Sequence, residues 1–388
     1  MPTEPPPPIL VSPEGSFAWD VFHRRHPVLI EGLIEALPYG PEQISDLRQL
    51  LDESRTGVIA PLPDGAPDAA QWRAWDRGHL GKPWADAPFL WAESYFFRRI
   101  LQATGYHAAD SAWSGVDPYA PMKAAELAEP GLEAAFAWYA ALAVAEPERR
   151  FAALVEAAVL GNRADLVFQV TEVVEGYGAV NPPLADDTER IRERLPRAER
   201  PAAVAFLCDN AGRELIADLL LADELLETGA AARVELHVKP APYYLSDATA
   251  TDVGACTARL RAMSGGLGAA GRRLHGRAAA GQLRVLTHPF WCAPLSFHEL
   301  PADLRARLAG RFLLVKGDLN YRRLVGDRHW DPATAFADAV EYLGLPVAAL
   351  RAAKSDVVVG VPREAVERLD AAEPDWRLNG RHSLIQTA

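Results

Sequence analysis

The chain carries 388 residues, with 40 Lys and Arg against 52 Asp and Glu and a formal charge of −12 at pH 7. Its 49% hydrophobic and 24% charged fractions are those of a folded, water-soluble chain of roughly two or three units of about 150 residues, not of a disordered one. The acid excess excludes a general attraction to nucleic acid or to an anionic membrane, so an anionic ligand needs a local basic site.

The opening MPTEPPPPILVSPEG has no basic stretch leading into an apolar one, and no later segment offers about 18 uncharged apolar residues. Neither secretion nor membrane spanning is expected. Its prolines predict an extended arm over residues 1–14, laid on the surface or loose. From 15 to 198 the periodic segments predict helices: PEQISDLRQLLDES, APFLWAESYFFRRILQATG, LEAAFAWYAALAVAEPERRFAALVEAAVLGN and DDTERIRERLPRAER. Strand patterns are scarce there. From residue 203 short β-rich runs alternate with helices: AVAFLCDN, then RELIADLLLADELLET, then RVELHVK, and later LRVLTHPF, RFLLVKGD, SDVVVGVP and HSLIQTA. Continuous apolar strands between helices predict an α/β fold, in which a helical N-terminal region (15–198) precedes a C-terminal α/β domain (199–388) with a mainly parallel central sheet flanked by helices. The three cysteines, Cys208, Cys256 and Cys292, are far apart and form no CxxC pair. They read as reduced thiols of a cytoplasmic protein.

In open α/β sheets, ligands sit beyond the carboxyl ends of the strands. Asp209 and Asn210 end the first clear strand, Asp318 ends RFLLVKGD, and Asp247 lies in PAPYYLSDAT just beyond RVELHVK. Carboxylates and an amide oxygen suit Mg²⁺, Mn²⁺ or a similar divalent ion. Taken singly, Asp209 or Asp247 reads first as a helix cap or turn residue, and Asp318 after Gly317 as an ordinary turn. Recurrence of acids at successive strand ends is what favours a site. Lys316, Arg322 and Arg323 surround Asp318, and Arg351 and Lys354 precede SDVVVGVP. Beside a metal, such cations would hold a phosphoryl dianion.

SGGLGAAGRR carries G-x-G-x-x-G spacing at Gly266, Gly268 and Gly271, but follows a helical pattern rather than a strand. No acid stands about 20 residues on, so it reads as a flexible loop and not a dinucleotide or adenosyl site. His237 and His288 lie in or beside strands and read as partly buried, hydrogen-bonded residues. No HExxH and no G-x-S-x-G is present.

The strings DNAGRELIADLLLADELL, PYYLSDAT, HPFWCAP and VKGDLNYRRLVGDRHW, in that order, resemble the DUF89 damage-control phosphatase family. The likeness is to the branch containing the acidic residue methyltransferase 1 proteins of animals and their fungal relatives. FLWAESYFFRRIL, DPYAPMKAAEL and LGNRADL extend it over nearly all the chain from about residue 20. The resemblance implies Asp209, Asn210 and Asp247 as metal ligands, Asp318 and Asp209 as catalytic residues, and Asp318, Leu319, Asn320, Tyr321, Arg322, Lys354 and Glu93 as substrate-binding. Glu214 would steady the metal pair or merely favour its helix. An Arg-Thr-x-Lys motif of the branch reads RAAK at 351–354, with Ala352 for threonine. The activity implied is divalent-metal-dependent phosphatase action (Mn²⁺, Co²⁺ or Ni²⁺, with Mg²⁺ allowed) by a monomer on small phosphorylated metabolites such as fructose 1-phosphate or fructose 6-phosphate. The alternatives are an S-adenosylmethionine-dependent protein glutamate O-methyltransferase and a non-catalytic sugar phosphate binding protein.

Overall fold

The computed structural model describes residues 5–163, 181–195 and 203–388. The expected division at 198/199 and the LGNRADL string beyond Arg163 lie outside the described residues. One seven-stranded sheet runs in the order β1-β7-β6-β5-β2-β3-β4, with β1 Ala185–Asp186, β2 Ala203–Leu207, β3 Arg233–Val238, β4 Leu283–Thr287, β5 Phe312–Lys316, β6 Val347–Ala352 and β7 Ser383–Thr387. Its pairings are parallel except β6 with β7. The mainly parallel sheet and its helices match the expected fold class.

The strands are apolar throughout because both faces are covered, and the alternation of side chains divides each strand between two cores. Ala205, Leu207, Leu313, Val315, Val347 and Ala349 face a cluster to which the first hundred residues contribute Phe22, Leu29, Phe89 and Phe96 among others, and later segments Phe290, Tyr321 and Trp376. Val204, Phe206, Leu314, Ala348 and Leu350 face a second cluster that includes residues of the helices Pro147–Arg163, Gly212–Glu227, Ala250–Ala262 and Gly265–Ala279. Residues before 185 thus pack on both faces of the sheet.

Several expectations change in detail. The proline-rich arm is pinned: Ile9 N–H donates to Asp327 O (3.2 Å) and Val11 N–H to Ala87 O (3.1 Å), and both side chains are buried. The run LEAAFAWYAALAVAEPERRFAALVEAAVLGN is not one helix. It breaks into Leu132–Ala135, a 3₁₀ turn Ala137–Val144 and Pro147–Arg163, because Pro147 disfavours helical geometry in the residue before it. SDVVVGVP forms no strand; β6 lies one segment earlier. The glycine-rich string is not a flexible loop but the first part of the helix Gly265–Ala279. A Cβ on Gly271 would come within 2.5 Å of Arg261 N, so this glycine lets two helices touch.

Candidate active site

Chain order reverses between β2 and β5: from β2 the sheet grows through β3 to β4 on one side, and from β5 through β6 to β7 on the other. Loops leaving neighbouring strands diverge there and open a crevice at the carboxyl ends. Asp209 and Asn210 follow β2, Asp247 follows β3, Asp318 follows β5 and Lys354 follows β6. All five line one cavity of about 100 Å³, together with Glu93, Leu319 and Arg322.

The caps anticipated at the acids do not exist. The helix after β2 has Ala211 at its N-cap, and the helix after Asp247 has Thr249, whose capping box uses Asp252. Asp209 and Asp247 are therefore buried carboxylates that cap no helix, 4% and 2% exposed. Their loops are bridged to each other: Ala248 N–H donates to Asp209 O (2.7 Å), Ala211 N–H donates to Ser246 O (2.7 Å), and Asn210 pairs with Asp247.

The orientation of Asn210 follows from its partners. Its Nδ2 donates to Asp209 Oδ2 (3.1 Å) and Glu214 Oε2 (2.8 Å), which leaves Oδ1 as the acceptor, bonded by Ser246 Oγ at 2.6 Å. Glu214 thus contacts the candidate metal pair directly and is itself held by Lys316 Nζ at 3.0 Å. Lys239 ties Asp247 Oδ2 (3.1 Å) to Asn320 Oδ1 (3.3 Å). Gly317, at φ +82°, passes so close to Asp209 that a Cβ there would collide with the carboxylate.

Among the described residues no three His, Cys, Asp or Glu side chains form a metal cluster. The set here is two carboxylates and one amide, an all-oxygen donor group whose remaining positions suit water and a phosphoryl oxygen. Those residues fit a hard or borderline divalent ion, with Glu214, Ser246 and Lys239 holding the donors in place.

Asp318 opens the helix Asp318–Val325 and is fixed by one ion pair and two hydrogen bonds. Arg351 Nη2 pairs with its Oδ1 at 2.6 Å, and Lys354 N–H and Ser355 Oγ each donate to the same oxygen at 3.2 Å. Arg351 is fully buried and stacks 4.3 Å from the Tyr321 ring, so it positions Asp318 rather than meeting a ligand. Arg322 lines the cavity under heavy restraint: Nε and Nη2 donate to Asp327 (2.7 and 3.1 Å) and Nη1 to Glu93 (2.9 Å). Burial raises the Glu93 carboxyl against the opposing pull of Arg322. Burial disfavours the charge on Arg322, but Asp327 and Glu93 outweigh it and hold the guanidinium charged.

Other sequence expectations need correction. Asn320 and Tyr321 are not among the cavity residues. Asn320 Nδ2 donates to Cys208 O (3.1 Å) and Lys316 O (2.8 Å) beneath the floor, and Tyr321 OH donates to Gln386 Oε1 at 2.9 Å behind it. Lys316 points to the opposite sheet face, between Glu214 and Asp218, fully buried. Burial there raises the Asp218 carboxyl despite Lys316. Arg323 spends its guanidinium on the carbonyls of Leu295, Trp291 and Phe290. His288 is partly buried and hydrogen-bonded as expected, accepting from Phe290 N–H at 3.1 Å, whereas His237 is buried with Nε2 unpartnered among the described residues, and neither lines the cavity.

The residues that sequence reasoning missed form the roof: Phe17, Val21, Arg25, His26, Leu29, Phe97 and Tyr244. Phe17 to Leu29 belong to the N-terminal helical run, which carries no mark of which cavity it covers, while Phe97 and Tyr244 lie in FLWAESYFFRRIL and PYYLSDAT, strings already singled out though not for these residues.

The Damage-control phosphatase ARMT1-like domain model matches residues 21–369. Damage-control phosphatase ARMT1 of Danio rerio is 27% identical over 98% of this chain and 97% of its own length. The Mus musculus protein of that name is 28% identical over 96% of each. A DUF89 family protein of Pyrococcus horikoshii superposes with a TM-score of 0.49 at 14% identity, over 89% of this chain and 96% of that one.

Proposed function

We infer the reaction from one premise: the chain belongs to the damage-control phosphatase ARMT1-like family, and it is a phosphatase with a damage-control role. We propose that its substrates are small phosphorylated metabolites, with sugar phosphates such as fructose 1-phosphate or fructose 6-phosphate the expected class, and that it requires a divalent ion, Mn²⁺, Co²⁺, Ni²⁺ or Mg²⁺. The observation that carries this reading is the gathering of Asp209, Asn210, Asp247, Asp318, Arg322 and Lys354 around one small cavity at the switch point of the sheet.

Asp209, Asn210 and Asp247 would hold the ion, which when bound supplies Lewis-acid polarisation of a phosphoryl oxygen and acidifies water. The Lys354 ammonium neutralises phosphoryl oxygens, and the Arg322 fork, locked by Asp327 and Glu93, presents a fixed positive edge that needs no reorganisation in the transition state. Asp318 orients the attacking water and takes its proton. An ion pair and two hydrogen bonds converge on its Oδ1, so Oδ2 is the oxygen assigned to that task.

The test is hydrolysis of a panel of phosphorylated metabolites with each of the four metals, each with a chelator control, by wild type and Asp209→Ala. Wild type should release phosphate only with metal. Asp209→Ala should lose activity and Mn²⁺ binding while keeping its circular dichroism spectrum. Undiminished turnover by that variant sinks the proposal.

A further inference from the structure

The roof of the cavity is a single helical run interrupted by a π turn: helix Phe17–Asp20, a five-residue π turn Val21–Arg25, and helix His26–Ala36. π turns insert a residue into an α-helix and re-aim the side chains that follow, and they recur at functional sites. Here the turn separates two adjacent arginines. The side chain of Arg24 is 73% exposed, whereas that of Arg25 is 13% exposed and lines the cavity. Arg25 is held over the Phe17 ring at 5.0 Å and is braced by Asp20 at 3.7 Å. His26, next in the chain, lines the same cavity at 2% exposure, and neither ring nitrogen has a partner. Buried polar groups are nearly always paired, so an unpaired one facing a cavity points to a ligand or solvent that enters there.

The cavity is small, about 100 Å³, and Arg25 shares its lining with Asp209, Asn210, Asp247 and Lys354. Arg322 has three of its donors committed to carboxylates, so it serves as a fixed positive edge. A second arginine, carried by the N-terminal helical run, adds a guanidinium of the shape that matches a phosphoryl group.

We propose that Arg25 is a substrate-binding residue of the phosphatase site, carried by the π turn into the cavity lining to bind phosphoryl oxygens beside the proposed metal set. The inference rests on the phosphatase reading above. It makes the N-terminal helix part of the active site and adds Arg25 to Lys354 and Arg322 in the recognition of a phosphate-ester dianion.

The experiment compares wild type with Arg25→Gln, Arg25→Lys and Arg24→Gln. It reads kcat and KM for a hexose phosphate with Mn²⁺, calorimetric binding of inorganic phosphate to the Mn²⁺-loaded protein, and Mn²⁺ affinity without phosphate. Arg25→Gln should weaken phosphate binding and raise KM by about tenfold or more, with Mn²⁺ affinity kept within about twofold. Arg25→Lys should recover part of the loss, and Arg24→Gln should match wild type. Unchanged phosphate affinity in Arg25→Gln overturns the inference. So does an equal loss of Mn²⁺ affinity in Arg25→Gln and Arg25→Lys, which would make the residue structural. A wild type that hydrolyses no phosphate monoester defeats the phosphatase reading instead, and phosphate calorimetry still decides Arg25.

Discussion

At Gly317 a single hydrogen atom separates the backbone from a carboxylate of the proposed metal site. Its φ of +82° is open to glycine at little cost, and a Cβ would collide with Asp209. Gly317→Ala should therefore cost about 1–3 kcal/mol and displace Asp209, lowering Mn²⁺ affinity with it. Urea denaturation and Mn²⁺ titration check the two effects separately, and a variant with wild-type affinity for metal would refute the role given to this glycine. His26 carries a second prediction. Burial first, then His23 and Arg25, lower its pKa from 6.5 to about 3, so the folded protein keeps the imidazole neutral. Between those two values the unfolded chain binds more protons, and stability is lost as pH falls through that window, by at most about 1.4 kcal/mol per unit. His26→Phe lacks the group, so its stability relative to wild type should improve by up to that slope between about pH 6.5 and 4.5. Parallel urea midpoints at three pH values would show it.

The element scale decides what the glycine-rich string is for. Gly271 sits where the helices Ala250–Ala262 and Gly265–Ala279 press together, 2.5 Å from Arg261 N and 2.8 Å from Leu260 C for a built Cβ. Gly271→Ala should lose about 1–3 kcal/mol through overpacking with kcat/KM unchanged, as measured by thermal melts and steady-state kinetics. A fall in S-adenosylmethionine binding in that variant would instead revive the cofactor reading. Much of this architecture was legible, since AVAFLCDN, RVELHVK, LRVLTHPF, RFLLVKGD and HSLIQTA all become strands and their polar endings mark the site. β6 was not, because VAALRA has the composition of a helix, while Val357, Val358 and Val359 look like a strand yet are buried as irregular chain. Composition reports that a segment is buried, not which ladder it joins. The same limit explains DLNYR. At about 100° per helical residue, Asp318, Leu319 and Arg322 share the cavity face, and Asn320 and Tyr321 turn away from it. Strand alternation likewise sends Lys316 to the face of Leu314 and away from the cavity.

Across the whole molecule, the first half of the chain braces the loop that carries Asp247, one of the proposed metal donors. Lys123, from DPYAPMKAAEL, is 3% exposed and donates to Asp117 Oδ2 (3.1 Å), Asp252 Oδ2 (3.0 Å) and the backbone oxygen of Asp247 (3.0 Å). Asp252 in turn accepts from Thr249 N–H (2.8 Å) and Oγ1 (2.7 Å) and closes the capping box behind the Asp247 loop. One ammonium therefore joins the N-terminal helices, the loop that presents Asp247 and the start of the next helix. Lys123→Met keeps most of the stem and removes the charge, which leaves two carboxylates and a carbonyl in a buried place without the cation that joined them. Breaking such a group by deleting one partner costs about 3–5 kcal/mol, and loosening the support of a metal ligand costs about tenfold or more in affinity. Both losses should appear together in Lys123→Met, as a lower urea midpoint and weaker Mn²⁺ binding by calorimetry. Asp252→Asn should reproduce the affinity loss through the same loop, with a milder effect on stability because the ammonium keeps its other two partners. A Lys123→Met protein that is destabilised but binds Mn²⁺ like wild type would show that the Asp247 loop holds its shape without the first half of the chain.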